Sequence, residues 1–407
     1  MRFVYLLVIF LLGSCTQSTS SQTVSGQPSS QPAATPVATA PIATSAEELT
    51  IGAAQIAQYL PHLSGKRVGM VVNHTSLVGN THLVDTLLSL QVQVKKIFAP
   101  EHGFRGDADA GEHVSSGVDK KTNLPLISLY GSNKKPTSEQ LADLDVVVFD
   151  IQDVGTRFYT YISTMHYVME ACAENNKKLL ILDRPNPHGS YFDGPVLKPA
   201  FKSFVGMHPI PVVHGLTVGE LANMINGQKW LANGVQCDVT VIKNKNYTHR
   251  TPYTLPVRPS PNLSNQQAIR LYPSLCLFEG TVISVGRGTD YPFQMIGSPN
   301  PANGSFTFTP KSVPGAKNPP YLNQPCYGLD LQEDTLNHFS LKYLIDFYQK
   351  AANKDKFFNS FFEKLAGNDQ LRNQIKSGMT EAQIRETWKT DLAAYKNLRQ
   401  QYLLYAE

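Results

Sequence analysis

Four stretches of polar and charged residues each follow directly on an apolar run, and they hold most of the side chains able to do chemistry. Val71-Val72 leads into Asn73, His74 and Thr75. Phe98 leads into Ala99-Pro100-Glu101-His102-Gly103-Phe104-Arg105-Gly106. Phe149 is followed by Asp150, Gln152, Asp153, Gly155 and Arg157, and Leu182 by Asp183, Arg184, Pro185, Asn186 and Pro187. One polar strand end is unremarkable; four on one rim describe a site. The chemistry on offer is acid–base. A carboxyl partly withdrawn from water holds its proton more tightly and can pass it to a leaving group near neutral pH. Glu101 fits that role best: Pro100 precedes it, His102 and Gly103 follow, and no helix lies beneath it to be stabilised. The other residues also have structural readings. Asp150 and Asp183 could cap helices or pair with Arg157 and Arg184 to hold loops, and the His74 imidazole could satisfy backbone groups.

The elements that would position these residues alternate regularly. Strands are expected over residues 67–72, 94–98, 126–129, 146–149 and 179–182, with helices over 51–60, 81–90, 138–141 and 159–175. The strands are continuous apolar runs, the pattern of strands covered on both faces. Alternating β and α of this kind gives an α/β body, a Rossmann-like parallel sheet with helices on both faces. Ligands bind such sheets beyond the carboxyl ends of the strands. No GxGxxG follows the first strand and no GxxxxGK[ST] occurs, so neither a dinucleotide nor a phosphate-cradling loop is supported. Past Thr217 the pattern changes. Thr217 and Glu220 form a capping box for a helix over 217–226. Strands are expected at 237–242 and 278–285, and helices at 341–353, 356–366, 381–388 and 392–405. These make a smaller mixed α/β C-terminal domain, with the catalytic domain at 46–215 and the second at 216–407.

The chain has 407 residues, 42% hydrophobic and 17% charged, enough apolar surface for two cores. A formal charge of +4 without a basic block points to no nucleic acid. The N-terminus carries a targeting signal. Arg2 is followed by an apolar run too short to span a bilayer and then by Leu12-Gly13-Ser14-Cys15. This resembles a bacterial lipobox, which would make residues 1–15 a lipoprotein signal and Cys15 the site of lipidation and membrane anchorage. Residues 16–45, rich in Ser, Thr, Gln, Pro and Ala, are expected to be a disordered tether with a reach of roughly 30 Å as a flexible coil. The remaining cysteines, Cys172, Cys237, Cys276 and Cys326, show neither metal-ligand spacing nor a CxxC pair. One or two disulfides and four buried thiols are both compatible with that spacing.

Five longer motifs carry a family resemblance: Glu101-His-Gly-Phe-Arg-Gly106, Asp150-Ile-Gln-Asp-Val-Gly-Thr-Arg-Phe-Tyr159, Asp183-Arg-Pro-Asn-Pro187, His214-Gly-Leu-Thr-Val-Gly-Glu-Leu221 and Ser284-Val-Gly-Arg-Gly-Thr-Asp290. In this order they resemble the NamZ/YbbC-type exo-β-N-acetylmuramidases, from about residue 48 to the C-terminus. The resemblance implies a Rossmann-like domain, a smaller second domain and a cleft between them. It also implies release of terminal N-acetylmuramic acid from the non-reducing end of peptidoglycan-derived glycans, with no cofactor, in a periplasmic protein anchored to the membrane, by default the outer one. One departure is His188, where an aliphatic residue is expected, which places the pocket rim in question.

Glycoside hydrolysis uses one carboxylic acid to protonate the leaving oxygen and a second carboxylate as nucleophile or base. Glu101 matches the acid. Asp150, Asp153, Asp290 and Glu279 are candidates for the second, and the catalytic set is taken as Glu101, Asp150 and Asp153. Asn73, His74, His102, Arg105, Gln152, Arg157, Tyr159, Asp183, Arg184, Asn186, His214, Arg287 and Asp290 form the expected substrate-binding set. Arg105, Arg157 or Arg287 would clamp the substrate's lactyl carboxylate, and Tyr159 and Tyr161 could pack on the sugar face or simply begin a buried helix. Two other functions compete. A metal-dependent peptidoglycan amidase or deacetylase would gather His74, His102, His113 and His214 with Asp150 or Asp153, though no HExxH supports it. A non-catalytic glycan-binding lipoprotein would keep the cleft without the chemistry.

Overall fold

The structure is a computed structural model that describes residues 20–21, 48–104 and 116–407. The signal with Cys15, almost all of the tether, Arg105 and His113 lie outside the described residues. After a 3-10 turn at Gly52–Ala54 the chain runs through α1 (Ile56–Leu63), β1 (Arg67–Val72), a hairpin of β2 (Leu77–Val78) and β3 (Thr81–His82), α2 (Leu83–Ser89), β4 (Gln93–Ala99), β5 (Gly117–Val118) and β6 (Pro125–Ser128). It continues through α3 (Ser138–Leu141), β7 (Val146–Asp150), α4 (Tyr161–Glu174), β8 (Lys178–Leu182), α5 (Val218–Gly227) and β9 (Val239–Ile242).

These strands form one sheet in the order β5-β6-β4-β1-β7-β8-β9, parallel except for the short β5 at one edge. Without β5 this is the doubly wound order in which the chain leaves β1 in one direction and resumes on its other side. The continuous apolar strands now have a cause. Val68, Met70, Val72, Val148, Leu180 and Leu182 point to the face covered by Tyr59, Leu63, Leu83 and Leu87 of α1 and α2. Val71, Val147, Phe149, Leu179 and Ile181 point to the other face, where Ile162, Met165 and Met169 of α4 and Leu221 of α5 cover them. Both sides of every central strand are dry, so neither can be polar. The polar groups are displaced to the strand ends.

The expected strand bounds hold to within a residue or so, and the Thr217–Glu220 capping box forms as expected. The second half differs more. The expected strand 237–242 is β9, which joins the large sheet beside β8, so that sheet draws on residues beyond 215. Residues 278–285 are not a strand. A helix that the Pro- and Asn-rich sequence concealed, α6 (Gln266–Leu275), is capped by the Asn265 side chain on Ala268 N and runs on as a 3-10 turn at Cys276–Gly280. Beyond it, β10 (Met295–Ser298), β11 (Phe306–Phe308) and β12 (Cys326–Asp330) form a small antiparallel sheet with β12 in the middle. The chain closes with α7 (Lys342–Lys350), α8 (Phe362–Ala366), α9 (Gln370–Lys376), α10 (Glu381–Thr387) and α11 (Lys389–Gln400). Their apolar residues, among them Phe347, Phe362 and Ile384, belong to the same core that covers α4 and α5. All four described cysteines are buried free thiols.

That core contains two histidines in contact with each other. His166 Nδ1 lies 3.1 Å from His208 Nε2, and His166 Nε2 is 3.7 Å from Glu170. Burial lowers the His166 pKa to about 4, against the pull of Glu170, and burial with the neighbouring His166 lowers that of His208 as well. The unfolded chain binds these protons near pH 6.5 and the folded chain does not, so stability is full above that pH and is lost as pH falls towards 4. We expect the urea midpoint to drop across this window. The drop should be shallower in a His166→Gln/His208→Gln variant, and parallel profiles would exclude the pair as its source.

Candidate active site

Glu101 stands at the end of β4, where the chain reverses abruptly. His102 and Gly103 both take left-handed conformations, with φ of 69° and 77°. A histidine held at positive φ is costly, and such strain persists where the surroundings over-determine it. The turn brings the Glu101 carboxylate to the first turn of α4, where Thr160 Oγ1 donates to Glu101 Oε2 at 2.5 Å. The Tyr130 hydroxyl, just after β6, is a second partner. Burial, then the charge of Glu101 and a hydrogen bond to it, push the Tyr130 pKa up, so the phenol stays a donor. Tyr161 feels burial first and Glu101 second, in the same direction. Glu101 itself is only 8% exposed.

Above Glu101 opens a cleft of about 690 Å³, large enough for a sugar ring and part of its neighbour. The sheet side contributes Glu101, His102, Tyr130 and residues 158–161. The second half contributes Asn262, Tyr272 of α6, Glu279, Arg287, Phe293 and the loop 315–320 with Lys317, while Phe204 closes one end. Phe204 stacks on Tyr167 with 15° between the ring planes and carries Lys134 at 4.9 Å, so it forms an aromatic ledge beside the acid. Of the expected residues, Glu101, His102, Tyr159, Tyr161, Glu279 and Arg287 line this cleft. Tyr130, Thr160 and Phe204 were missed. The strand-end rule would have found Tyr130, which follows the 126–129 run, and Thr160 is the residue after the Asp150–Tyr159 motif.

The remaining expected residues lie below or beside the cleft. Asp150 is withdrawn completely: Arg184 Nε and Nη2 grip its two oxygens at 2.6 and 2.9 Å, both partners buried. The loop-holding pairing is the one that forms, and neither residue meets the cleft. Asp183 accepts from Thr217 Oγ1, Gly219 N and the Tyr405 hydroxyl, which ties β8 to α5 and to the C-terminal segment, and burial raises its pKa to about 6. Arg157 has no carboxylate at all. It donates to the carbonyls of Pro195, Ile210, Leu365 and Ala366 at 2.7–2.9 Å. Asn186 is packed against Gly155, where a Cβ would sit 2.1 Å from its Oδ1, and it bonds to Leu216 O and His188 N. His188 is buried with Nδ1 at 2.6 Å from Val154 O, away from the cleft rim. His74 lies near Arg258 O, and Asp290 is exposed outside the cleft.

Asn73, Gln152, Asp153 and His214 are buried at the strand ends where the order switches between β1 and β7, and none of them lines the cleft. Asp153 Oδ1 accepts from Gly155 N at 2.7 Å and stands 3.8 Å from His214 Nε2. The Tyr161 hydroxyl shares a hydrogen bond with Asn73, and the Tyr159 hydroxyl with Ser260 and with Tyr161. Among the described residues no three His, Cys, Asp or Glu side chains converge to hold a metal ion.

Residues 68–267 match the family description "Exo-beta-N-acetylmuramidase NamZ, N-terminal", and 270–405 match its C-terminal counterpart. The chain is 38% identical over 378 residues to peptidoglycan beta-N-acetylmuramidase NamZ of Bacillus subtilis (strain 168), a match that covers 86% of this chain and 89% of that protein. Two DUF1343 family proteins of Bacteroides fragilis, known from crystal structures, share the fold. One has a TM-score of 0.83 and 49% identity over 89% of this chain and all of its own. The other has a TM-score of 0.73 and 29% identity over 88% of this chain and 99% of its own.

Arg157 is therefore expected to act on stability. Arg157→Met should cost about 3 kcal/mol or more in urea unfolding, because it takes its donors from four buried carbonyls, of which Ile210 O keeps Leu197 N. A normal urea midpoint with a raised KM would instead make Arg157 a binding residue.

Proposed function

Because the chain belongs to the NamZ family of exo-β-N-acetylmuramidases, we propose that it hydrolyses the glycosidic bond of a terminal N-acetylmuramic acid in this cleft, with Glu101 as the acid. The observation that carries the proposal is the setting of Glu101. It is the carboxyl at the sheet end of the cleft, oriented by the Thr160 hydroxyl and flanked by Tyr130. In the reaction the bond between the anomeric carbon and the leaving oxygen breaks, and the Glu101 proton passes to that oxygen. Water supplies the new hydroxyl at the anomeric carbon, and the water's other proton restores the Glu101 carboxyl. The aromatic ledge of Phe204 and Tyr167 offers a stacking surface for the leaving sugar. Substrates are peptidoglycan fragments, met from the non-reducing end.

The test is turnover of a chromogenic β-N-acetylmuramic acid glycoside by the protein without its tether. Glu101→Gln should lose roughly 10²–10⁴ in kcat, the usual worth of a general acid. Thr160→Val should lose less, since it removes only the group that orients Glu101. Chelator should have no effect. Full activity of Glu101→Gln would remove it as the acid, and sensitivity to chelator would favour a metal-dependent hydrolase.

The proposal includes a place in the cell. Arg2, the apolar run up to Leu12 and the Leu12-Gly13-Ser14-Cys15 sequence support export and lipidation at Cys15, hence a periplasmic, membrane-anchored enzyme, by default on the outer membrane. Fractionation should find the full chain with membranes and Cys15→Ser in the soluble fraction. Equal distribution of the two would overturn the anchor.

A further inference from the structure

N-Acetylmuramic acid differs from N-acetylglucosamine in one group, a lactyl ether on O3 that ends in a carboxylate. A cleft that selects the first sugar needs a cation held where that carboxylate falls. Of the three arginines expected to clamp it, Arg157 is committed to backbone carbonyls and Arg105 lies outside the described residues. Arg287 lies on the cleft wall and is built differently. Its Nε donates to Glu279 Oε1 at 2.7 Å, and its guanidinium carbon lies 5.2 Å from the centre of the Phe293 ring. These contacts fix the plane of the fork from behind. Neither terminal nitrogen hydrogen-bonds to a described residue, and the side chain is 18% exposed. The loop that presents it is equally constrained. Gly286 and Gly288 have φ of 76° and 84°, and a Cβ would lie 2.5 Å from Met295 Cγ at the first and 2.5 Å from Lys311 O at the second.

Glu279 is the other carboxylate of the described cleft, and its geometry bears on its role. One oxygen takes the Arg287 Nε, and the other faces the Cys276 thiol at 3.6 Å. Both are turned towards their own wall. Burial alone would pull the Arg287 pKa down, and the adjoining Glu279 charge more than reverses this.

Resting on the muramidase reading above, we propose that Arg287 is the specificity residue that binds the substrate's lactyl carboxylate through its two terminal nitrogens, and that Glu279 is the positioning residue that aims it. A planar fork held at Nε and open at both other nitrogens matches a carboxylate bidentately, which a lysine cannot reproduce.

Two chromogenic β-muramic acid glycosides test this, one with a free lactyl carboxylate and one with that carboxyl converted to a methyl amide. Wild type should prefer the acid by roughly 10- to 100-fold in kcat/KM, the worth of a charge-assisted contact. Arg287→Gln should lose most of that preference through KM, and Arg287→Lys should recover only part of it. Glu279→Gln should lower the acid-to-amide preference in the same direction by a smaller factor, through KM for the acid. Equal use of acid and amide by wild type overturns the clamp, even if the variants do not fold. An unchanged preference in Arg287→Gln does the same. Loss of kcat on both substrates in Glu279→Gln would make it the second catalytic carboxylate and end its positioning role. If wild type turns over neither glycoside, the muramidase reading has failed. Calorimetric binding of free N-acetylmuramic acid against its methyl amide then still decides the clamp, since equal affinities would overturn it.

Discussion

The Arg157 guanidinium is the joint on which the cleft depends. It leaves the sheet just after β7 and ends among four carbonyls, two from the 195–210 loop and two from the end of α8. A buried cation without a counter-ion is normally prohibitive, and it is tolerated here because all four acceptors are backbone carbonyl dipoles turned towards it. The cost and the benefit fall on different parts of the chain. The sheet supplies the charge, and the C-terminal helices receive fixed positions. Phe361, which precedes α8, reaches the cleft wall, so Arg157 is one of the side chains that refer the wall's place to the sheet.

The same logic orders the rest of the rim. A sheet with both faces dry concentrates polar groups at its strand ends, where most must be neutralised locally. The Asp150–Arg184 pair closes one such end, and the three donors on Asp183 close the next. Buried pairs of this kind add little net stability, but removing one partner leaves an uncompensated charge, so they specify which loop sits where. Glu101 is the exception. It lies near the edge of the sheet at the end of β4, where the second half of the chain stands off and leaves a cavity.

Much of this was legible in the sequence because it follows from burial. Strands covered on both faces must read as unbroken apolar runs, and Thr217 with Glu220 could only be a helix start. Glu101 stood out because its neighbours gave it no structural task. The roles of Asp150, Asp183 and Arg157 were not legible. A charged residue after a strand reads the same whether it faces a ligand or a partner that arrives 30 or 200 residues later. The second half was harder still. Pro273 and the polar residues around Asn265 disguise α6, whose cap is local but whose burial comes from the tertiary core. Glu279 was visible as one of four candidate carboxylates, but its contact with Arg287 is tertiary.

The distribution of charge in the cleft makes sense for an anionic substrate. Once Glu101 has given up its proton, a sugar whose carboxylate lies in the same cleft places like charges together, where repulsion is weakly screened. A cation on the wall from the second half offsets that repulsion, but an arginine alone would also attract Glu101 and empty the space between them. Pairing Arg287 with Glu279 removes the net charge while preserving the directional donors. The free cleft then carries no strong field across it, and the fork still distinguishes a carboxylate from a neutral group at the same position. Specificity in such a site comes from hydrogen-bond geometry that only the correct substrate completes.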